Sequence, residues 1–282
     1  MQYTHPSTIV MGAYSHMRSR GSFLHVADSM GASKSVATKA LDNLIAGNVA
    51  ALIVSGPQAS GKDTIGPAVM AALGYTDHIR IGIADSLKQE VTDTIEIMMS
   101  CVDVTIAQEK IAKMLDISNL HAKHISDVLW DETRDSLADL TGWSRTAGVR
   151  KALQYLGNEA REKDPTRYVR LAVPRILDSM AQGVSLYMGD GRFPREAAPC
   201  SALGMYLVRL YVDSEVKAAR LLARDGVIAD PSTLHHEGEF ALDSWEGVDL
   251  KINNSYASSK EVVCVISGAF AAHRARLAVD LK

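Results

Sequence analysis

The residues most suited to chemistry lie in one short glycine-rich segment. Residues 56–64 read GPQASGKDT, so two glycines precede a lysine and a hydroxyl residue follows it closely. Glycine allows a backbone in which successive N–H groups point at one anion, and a lysine at this spacing adds a mobile positive charge. The sequence therefore predicts a loop that binds the phosphates of a nucleoside triphosphate. The predicted contacts come from Gly56, Ser60, Gly61, Lys62, Asp63 and Thr64.

The residue after the lysine departs from the strict motif. The strict form places Ser or Thr there to bind Mg²⁺, whereas this chain has Asp63, with Thr64 one position later. Thr64 is therefore the predicted magnesium ligand, and Asp63 is expected to orient either the metal or an acceptor. The departure argues against GTPases and motor ATPases, but small-molecule kinases of the adenylate kinase type tolerate it. A glycine turn with a surface lysine is the alternative interpretation.

Other charged residues could complete a site for phosphate transfer. When two polyanions react, catalysis depends on converging cations, and the planar guanidinium of arginine binds phosphate in two places. Arg220 and Arg224 lie four residues apart on a predicted helix and so share one face. We interpret the polar segment that follows, residues 225–249, as a lid that brings one of these arginines onto the phosphates and excludes water.

An acidic and a basic residue follow the apolar run at residues 184–188. Asp190 comes at the end of the run, where a carboxylate could hold Mg²⁺ or its waters. Arg192 lies two residues further on, and the backbone is expected to aim it the same way. A turn aspartate with a surface arginine is the alternative.

The elements that must position these residues follow from the hydrophobic pattern. Residues 49–55 form a short apolar run that ends at the glycine-rich segment, which is typical of a central parallel strand. Helical stretches separate most of the other apolar runs, so we expect an α/β fold with a central parallel sheet of about five strands flanked by helices. Between residues 86 and 182 we expect only helix and loop. The other candidate strands are residues 79–83, 184–188, 206–212 and 262–266.

Residues 1–48 precede the first candidate strand and are predicted to form a helical extension. Ser33 can cap its second helix, and Gly31 can turn the chain before it. The spacing is similar to a helix-turn-helix, in which Lys34 and Lys39 would face a DNA backbone. A plain helical hairpin that packs on the core or on a second subunit is the favoured interpretation, and it allows a homodimer.

Composition argues against several classes of partner. The chain has 282 residues and a formal net charge of -3, so no broad basic surface indicates nucleic acid or an anionic membrane. Its 3 cysteines are far apart, which fits neither a disulfide framework nor a zinc site. No apolar run in the sequence approaches the roughly 20 residues of a membrane helix. We therefore expect a soluble cytoplasmic protein without a membrane partner.

Several segments together resemble the phage-type deoxynucleoside monophosphate kinases, a branch of the nucleoside monophosphate kinase group. The glycine-rich segment, SG…SGKDT, is similar to the loop of that family. ADSLK at residues 84–88 resembles the family's ADPLK, and LQYLGNEAR at residues 153–161 resembles LQxxGTExxR. GDGRFPRE at residues 189–196 resembles DVRFPNE. HEGE at residues 236–239, followed by INN, resembles the tail HxSE…IxN.

The resemblance covers about residues 49–268 in the right order. It implies a P-loop kinase domain over residues 49–282, with an acceptor-binding helical region near 86–182 and a lid near 225–249. It also implies transfer of the γ-phosphoryl group of ATP to a (deoxy)nucleoside monophosphate, with Mg²⁺ as cofactor. Departures from the family pattern, which leave the acceptor's base and sugar open, occur at Ser86, Asn158, Gly191, Arg195 and Gly238.

The resemblance implies that Arg192 faces the acceptor phosphate and that Asp85 and Lys88 help to form the acceptor site. For the last two, a helix N-cap with a solvated lysine is an equal alternative. Gln154 and Arg161 share a helical face, on which Gln154 could read the acceptor's base and Arg161 bind its phosphate. The predicted catalytic residues are Lys62, Arg192, Arg220 and Arg224.

Asn253 is expected to border the adenine ring, and a plain turn is the alternative. Two other functions stay open for the whole chain. One is another small-molecule P-loop kinase, acting on dephospho-coenzyme A or on a nucleoside. The other is a DNA-binding regulator whose kinase-like core only senses nucleotide.

Overall fold

The computed structural model describes residues 10–11, 19–133, 147–226 and 237–281. Residues 227–236 of the predicted lid lie outside the described residues. The chain divides into two compact units, one formed by Met1–Ile83 with Val169–Lys282 and the other by Ala84–Tyr168.

The first unit is built on a mostly parallel sheet. Its strands are β1 Val10–Met11, β2 Ala51–Ser55, β3 Ile79–Arg80, β4 Leu186–Met188, β5 Tyr206–Tyr211 and β6 Leu250–Asn253. The spatial order is β1-β6-β5-β2-β4-β3. Strands β2 to β6 run parallel, and β1 pairs antiparallel with β6. The expected α/β fold with a parallel sheet of five strands is therefore confirmed.

Eleven α-helices lie among the described residues. They are α1 Arg20–Ser29, α2 Lys34–Ala46, α3 Lys62–Ala72, α4 Asp85–Ser100, α5 Val104–Leu115, α6 Asn119–Thr133, α7 Ala147–Lys163, α8 Arg167–Ala181, α9 Pro194–Ala202, α10 Ser214–Asp225 and α11 Ser259–Asp280. A short 3-10 helix, Glu237–Glu239, precedes β6. Helices α3 and α11 pack with β2, β5 and β6 around one apolar core.

One predicted strand was wrong. Residues 262–266 lie in α11, and the last parallel strand is β6 instead. A short apolar run does not distinguish a strand from a buried helix. Here Ser258 begins a helix, because its side chain accepts the N–H of Glu261 while the Glu261 carboxylate accepts the N–H of Ser258.

Helix α11 is the one helix of the described chain that is long and apolar enough to cross a membrane by length and composition. Its most apolar 18-residue window has a mean hydropathy of 1.4, and 28% of that window is buried within the protein. The expectation that no apolar segment approaches membrane length does not hold for this helix. In the first unit, Val262, Ile266 and Phe270 of α11 lie in the core beside the sheet.

The second unit contains only helices among its described residues. Helices α4 to α7 pack in succession, and α4 also contacts α7. The chain breaks between α4, which ends at Ser100, and α5, which begins at Val104. Asp103 causes the break, because its carboxylate accepts the N–H groups of Thr105 at 2.7 Å and Ile106 at 3.2 Å and so starts a new helix.

Helices α1 and α2 form a hairpin within the first unit. Ser33 caps α2 as expected, with its hydroxyl accepting the N–H of Val36 at 3.4 Å. The turn before it contains Gly31 at φ 85°. Asn43 ties α2 to the end of α8 by donating to the Met180 carbonyl oxygen at 2.8 Å. Helix α2 also contacts α11, an arrangement that fits the hairpin interpretation.

Candidate nucleotide-binding site

The glycine-rich loop connects the carboxyl end of β2 to α3. Ala59 and Gly61 adopt left-handed backbone conformations, with φ of 58° and 87°. A Cβ on Gly56 would lie 2.4 Å from Ser60 Oγ and 3.1 Å from the Leu210 carbonyl oxygen. The tight curl of the loop therefore requires glycine at position 56 and favours it at position 61.

Helix α3 begins at the loop without a side-chain cap, because its N-cap residue is Gly61. An uncapped helix N-terminus presents free backbone N–H groups and the positive end of the helix dipole, and both attract anions. The loop also lies at the carboxyl end of a central parallel strand, which is where open α/β sheets bind ligands. The local structure is therefore suited to phosphate.

Lys62 carries its ammonium group into a largely buried position. Its side chain is 14% exposed, that of Asp63 is 77% exposed, and Lys62 Nζ lies 3.5 Å from Asp63 Oδ2. Burial lowers the pKa of Lys62, while the nearby Asp63 carboxylate raises it in part. Asp63 and Thr64 are exposed on the first turn of α3. These two oxygen donors fit Mg²⁺, which takes only one or two protein oxygens when it also binds phosphates.

Ser60 lies beneath the loop and not on its surface. The residue is fully buried, and its Oγ has no hydrogen-bond partner in the described part of the chain. Its N–H donates to the Pro57 carbonyl oxygen at 3.2 Å. A direct contact between Ser60 and triphosphate stays a prediction, and this geometry favours a role in shaping the loop.

Two polar side chains hold the carbonyl groups of the loop. Asn254 is 5% exposed, and its Nδ2 donates to the Ser60 carbonyl oxygen at 2.7 Å. Arg220 donates from Nη1 to the Ala59 carbonyl oxygen at 3.2 Å and from Nη2 to the Asn254 carbonyl oxygen at 2.8 Å. The guanidinium group that was expected on the phosphates thus binds backbone carbonyls. Sequence reasoning missed this role of Asn254, although the residue lies next to Asn253.

Asn253 and Arg224 occupy other positions. Asn253 Nδ2 donates to Asp213 Oδ1 at 3.1 Å, and its Oδ1 accepts the N–H of Ser255 at 2.9 Å. These contacts fit the plain-turn interpretation of Asn253. Arg224 is exposed on the last turn of α10. The assignment of both residues to the site stays a prediction.

Asp190 joins the end of β4 to the segment that follows β3. Its Oδ1 accepts the N–H of Ile83 at 3.0 Å, and its Oδ2 lies 3.9 Å from Arg80 Nη2. These contacts give Asp190 a structural role, so its expected magnesium contact stays a prediction. Across the described residues, no group of three or more His, Cys, Asp or Glu side chains could hold a metal ion.

Arg192 has a fixed backbone and a partly exposed side chain. Its N–H donates to Glu196 Oε2 at 3.1 Å, and the same oxygen accepts the N–H of Phe193 at 3.3 Å, which fixes the start of α9. The Arg192 side chain is 43% exposed, and its Nη1 lies 3.4 Å from Glu239 Oε1. The arginine therefore reaches toward a buried carboxylate at the edge of the loop.

Glu239 brings three sequence-distant groups together. Its Oε2 accepts the N–H of Gln58 at 2.6 Å and a bond from Lys217 Nζ at 3.3 Å. Sequence reasoning placed Glu239 in the lid and overlooked Lys217. Glu239 belongs to the HEGE segment, but neither that segment nor the sequence around Lys217 indicates the contact with the loop, which arises only through the fold.

Arg209 anchors the segment that contains Glu239. It is 1% exposed on β5, pairs with Asp243 at 2.7 Å, and donates to Ser55 Oγ at 3.2 Å. A further N–H donates to the Glu239 carbonyl oxygen. Sequence reasoning missed this arginine too. The sequence does contain an indication of this role, because a single arginine inside an otherwise apolar strand must have buried partners.

In the second unit, the predicted acceptor residues lie on α4 and α7. Lys88 Nζ lies 3.4 Å from Asp85 Oδ1, one turn away on the same helix. Gln154 is exposed, whereas Gly157 is buried. A Cβ on Gly157 would lie 2.9 Å from Arg161 Nη2, so glycine makes room for the guanidinium group.

A cluster around Glu90 adjoins Arg161 within that unit. Arg167 Nη2 lies 2.8 Å from Glu90 Oε1, and the Tyr168 hydroxyl donates to Glu90 Oε2 at 2.8 Å. Burial and the charge of Glu90 raise the pKa of Tyr168 well above its usual range, and the positive charges of Arg167 and Arg161 oppose that shift. The sequence does not indicate this cluster, in which Glu90 binds both Arg167 and Tyr168.

No protein-family model and no curated protein matches this chain.

Proposed function

We propose that this protein is a P-loop kinase that transfers the γ-phosphoryl group of ATP to a (deoxy)nucleoside monophosphate. The observation that carries the proposal is the loop between β2 and α3, where left-handed Gly61 precedes an uncapped helix and a largely buried Lys62. When bound, Mg²⁺ would neutralise phosphate charge, with Thr64 or Asp63 as its protein ligand.

The order of the strands supports this assignment. From β2 the chain first builds β3 and β4 on one side, and it later adds β5 and β6 on the other. The carboxyl end of β2 is therefore a topological switch point, where open α/β sheets form a crevice for ligands. The glycine-rich loop begins at this point.

The site residues support direct transfer without a covalent intermediate. An acceptor phosphate oxygen attacks the γ-phosphorus, and the bond from that phosphorus to the oxygen of ADP breaks. Loop N–H groups and Lys62 hold the outer phosphates, and Arg192 stabilises the charge that spreads over the transferred group. Arg220 and Asn254 act on the loop itself, because they bind its carbonyl groups.

Within the second unit, we assign acceptor recognition to α4 and α7. Arg161 would bind the acceptor phosphate, since a guanidinium group pairs with phosphate through two N–H donors. Gln154 is exposed one turn before Gly157, and its amide could hydrogen-bond a base edge. Asp85 and Lys88 stay candidates for the same site.

A coupled assay of ADP release over a panel of acceptors tests the proposal. We expect turnover only with one or more nucleoside or deoxynucleoside monophosphates, and none with Lys62→Met. Turnover with only dephospho-coenzyme A or only a nucleoside would show that the acceptor is not a nucleoside monophosphate. No acceptor-dependent turnover, together with duplex DNA binding, would favour the regulator.

A further inference from the structure

Glu239 lies among the groups that the proposed function assigns to phosphate. It is 2% exposed and ends the short 3-10 helix before β6. Its carboxylate accepts the N–H of Gln58 at 2.6 Å, lies 3.3 Å from Lys217 Nζ, and lies 3.4 Å from Arg192 Nη1. A backbone N–H of the glycine-rich loop and two cations therefore converge on one anion.

These donors suit a phosphoryl group as well as they suit a carboxylate. Both anions accept N–H, ammonium and guanidinium donors through terminal oxygens. Burial lowers the pKa of Lys62, and among its charged neighbours Arg192 lowers that pKa while Glu239 raises it. Lys62, Arg192 and Glu239 are thus close enough to interact. Glu239 also accepts the N–H of Gln58, so its carboxylate lies against the same loop that the proposed function assigns to the triphosphate.

The fold fixes the position of Glu239. Arg209 binds its carbonyl oxygen and pairs with Asp243, and both contacts hold the segment against β5. Lys217 is itself only 9% exposed, and its Nζ lies 5.7 Å from the centre of the Phe240 ring. Burying an ion pair of this kind often gives no net stability, because both charges lose their hydration. Net stability alone is therefore not a sufficient reason for burying these two charges.

We propose that Glu239 and the terminal phosphoryl group of the triphosphate compete for the same donors, and that Lys217 binds phosphate once the carboxylate is displaced. The inference rests on the proposed function and adds to it one phosphate-binding cation and one residue that opposes nucleotide binding. Before nucleotide binds, Glu239 keeps Lys217 and Arg192 in place and neutralised. A phosphoryl group brings its own negative charge, so the two anions repel when they share these donors.

Binding of a non-hydrolysable ATP analogue to Glu239→Gln tests the competition. Glutamine keeps the size of the side chain and removes its charge, so we expect the analogue to bind roughly fivefold to tenfold more tightly than to the wild type. Thermal stability without nucleotide should fall, because Lys217 and Arg192 lose their counter-ion. Equal or weaker binding by Glu239→Gln would overturn the proposal.

Glu237→Gln is the matched control. Glu237 is exposed on the same 3-10 helix, so its replacement removes the same charge nearby without touching the donors. We expect its affinity for the analogue to stay within about twofold of the wild type, since exposed charges interact weakly. An equal gain in affinity for both variants would show that the net charge near the site, and not the position of Glu239, determines binding. That result would overturn the competition.

Lys217→Met supplies a test that does not depend on the stability of Glu239→Gln. We expect analogue binding to weaken by about tenfold, because a charged hydrogen bond is lost. Unchanged affinity would refute the role of Lys217. Failure of the wild type and of Glu239→Gln to bind the analogue would overturn the competition. Tighter binding by Glu239→Gln without transfer to any acceptor would support the competition and refute the proposed function.

Discussion

Lys62 places a positive charge where water has little access. Burial lowers its pKa from the ordinary value of 10.5. A charge held in this way costs stability until an anion pairs with it. A phosphate-binding lysine benefits from this environment, because the same loss of water strengthens its attraction to the ligand.

We expect Lys62→Met to weaken ATP binding by about 10-fold to 100-fold, since a hydrogen bond to a charged group contributes about 1.5–3 kcal/mol. The free energy of unfolding should be equal to or higher than that of the wild type at neutral pH, because a buried charge is removed. Isothermal titration with ATP and urea unfolding measure the two quantities. Unchanged ATP affinity together with lower stability would contradict the assignment.

The pH dependence of stability gives a separate check on Lys62. Its folded-state pKa lies below the unfolded value of 10.5, so the unfolded chain binds more protons between the two values. The stability contributed by this residue therefore rises with pH across that window. The stability advantage of Lys62→Met over the wild type should be largest below the folded-state pKa and should shrink as the pH approaches 10.5. Urea unfolding at several pH values measures it, and an advantage that grows with pH would be the opposite result.

Gly157→Ala is expected to affect helix stability and acceptor binding in opposite directions. Alanine favours a helix over glycine by about 1 kcal/mol, but its Cβ would lie 2.9 Å from Arg161 Nη2 and 3.2 Å from Leu87 Cδ2. We expect the fold to persist and the guanidinium group to move, so the KM for the acceptor should rise about fivefold while ATP affinity stays constant. Steady-state kinetics with varied acceptor measures this.

Gly268→Ala is the matched control for that substitution. Gly268 also lies within a helix, and a Cβ there would meet no heavy atom within 4 Å. The same gain in helix propensity should follow without any change in kinetics. An equal KM increase in both variants would show that Arg161 is not the cause.

Helix α10 carries Arg220 and Arg224, and the sequence alone does not show which of them acts at the loop. Arg220 donates three hydrogen bonds, to the carbonyl groups of Ala59, Asn254 and Ser255. Arg220→Ala should therefore lower the free energy of unfolding by about 1–3 kcal/mol and weaken ATP binding, because the loop loses its support. Arg224→Ala, at an exposed position, should change stability by less than about 0.5 kcal/mol. Urea unfolding of both variants measures these changes. Equal losses of stability would contradict a supporting role of Arg220 at the loop.

Elements that depend on local pattern could be predicted from sequence. The apolar run of β2, the glycine-rich loop and α3 follow one another directly, so their order alone specifies a strand, a turn and a helix. Strand β6 was missed because it is short and alternates buried with half-buried residues. The apolar run at residues 262–266 was predicted as a strand instead, although Ser258 and Glu261 before it form a capping box, which indicates the start of a helix.

The polar contacts around the loop were not predictable in the same way. Glu239 meets Gln58 across 181 residues of sequence, and Asn254 meets Ser60 across 194. No periodicity connects positions so far apart, and only the arrangement of β2, β5 and β6 brings them together. Arg220, Asn254 and Glu239 all lie in segments that the sequence singles out, but their contacts with the loop had to come from the structure.

The C-terminal helix α11 tests how the first unit is held together. Phe270 is 1% exposed and packs against Tyr206 with ring centres 5.7 Å apart, whereas Val279 is 74% exposed. Phe270→Ala should lower the free energy of unfolding by about 3–5 kcal/mol, because it leaves a cavity in the core. Val279→Ala should change it by less than about 0.5 kcal/mol. Equal effects in urea unfolding would argue against α11 as a core helix.

The two edges of the sheet decide how copies of this protein can associate. Strand β1 covers the free side of β6 by antiparallel pairing. The opposite edge is β3, which is two residues long and ends in the charged residue Arg80. Short, charged or covered edges prevent a neighbouring chain from adding a strand. Among the described residues both outermost strands, β1 and β3, are only two residues long, so they offer a neighbouring chain little backbone for fibril-like pairing.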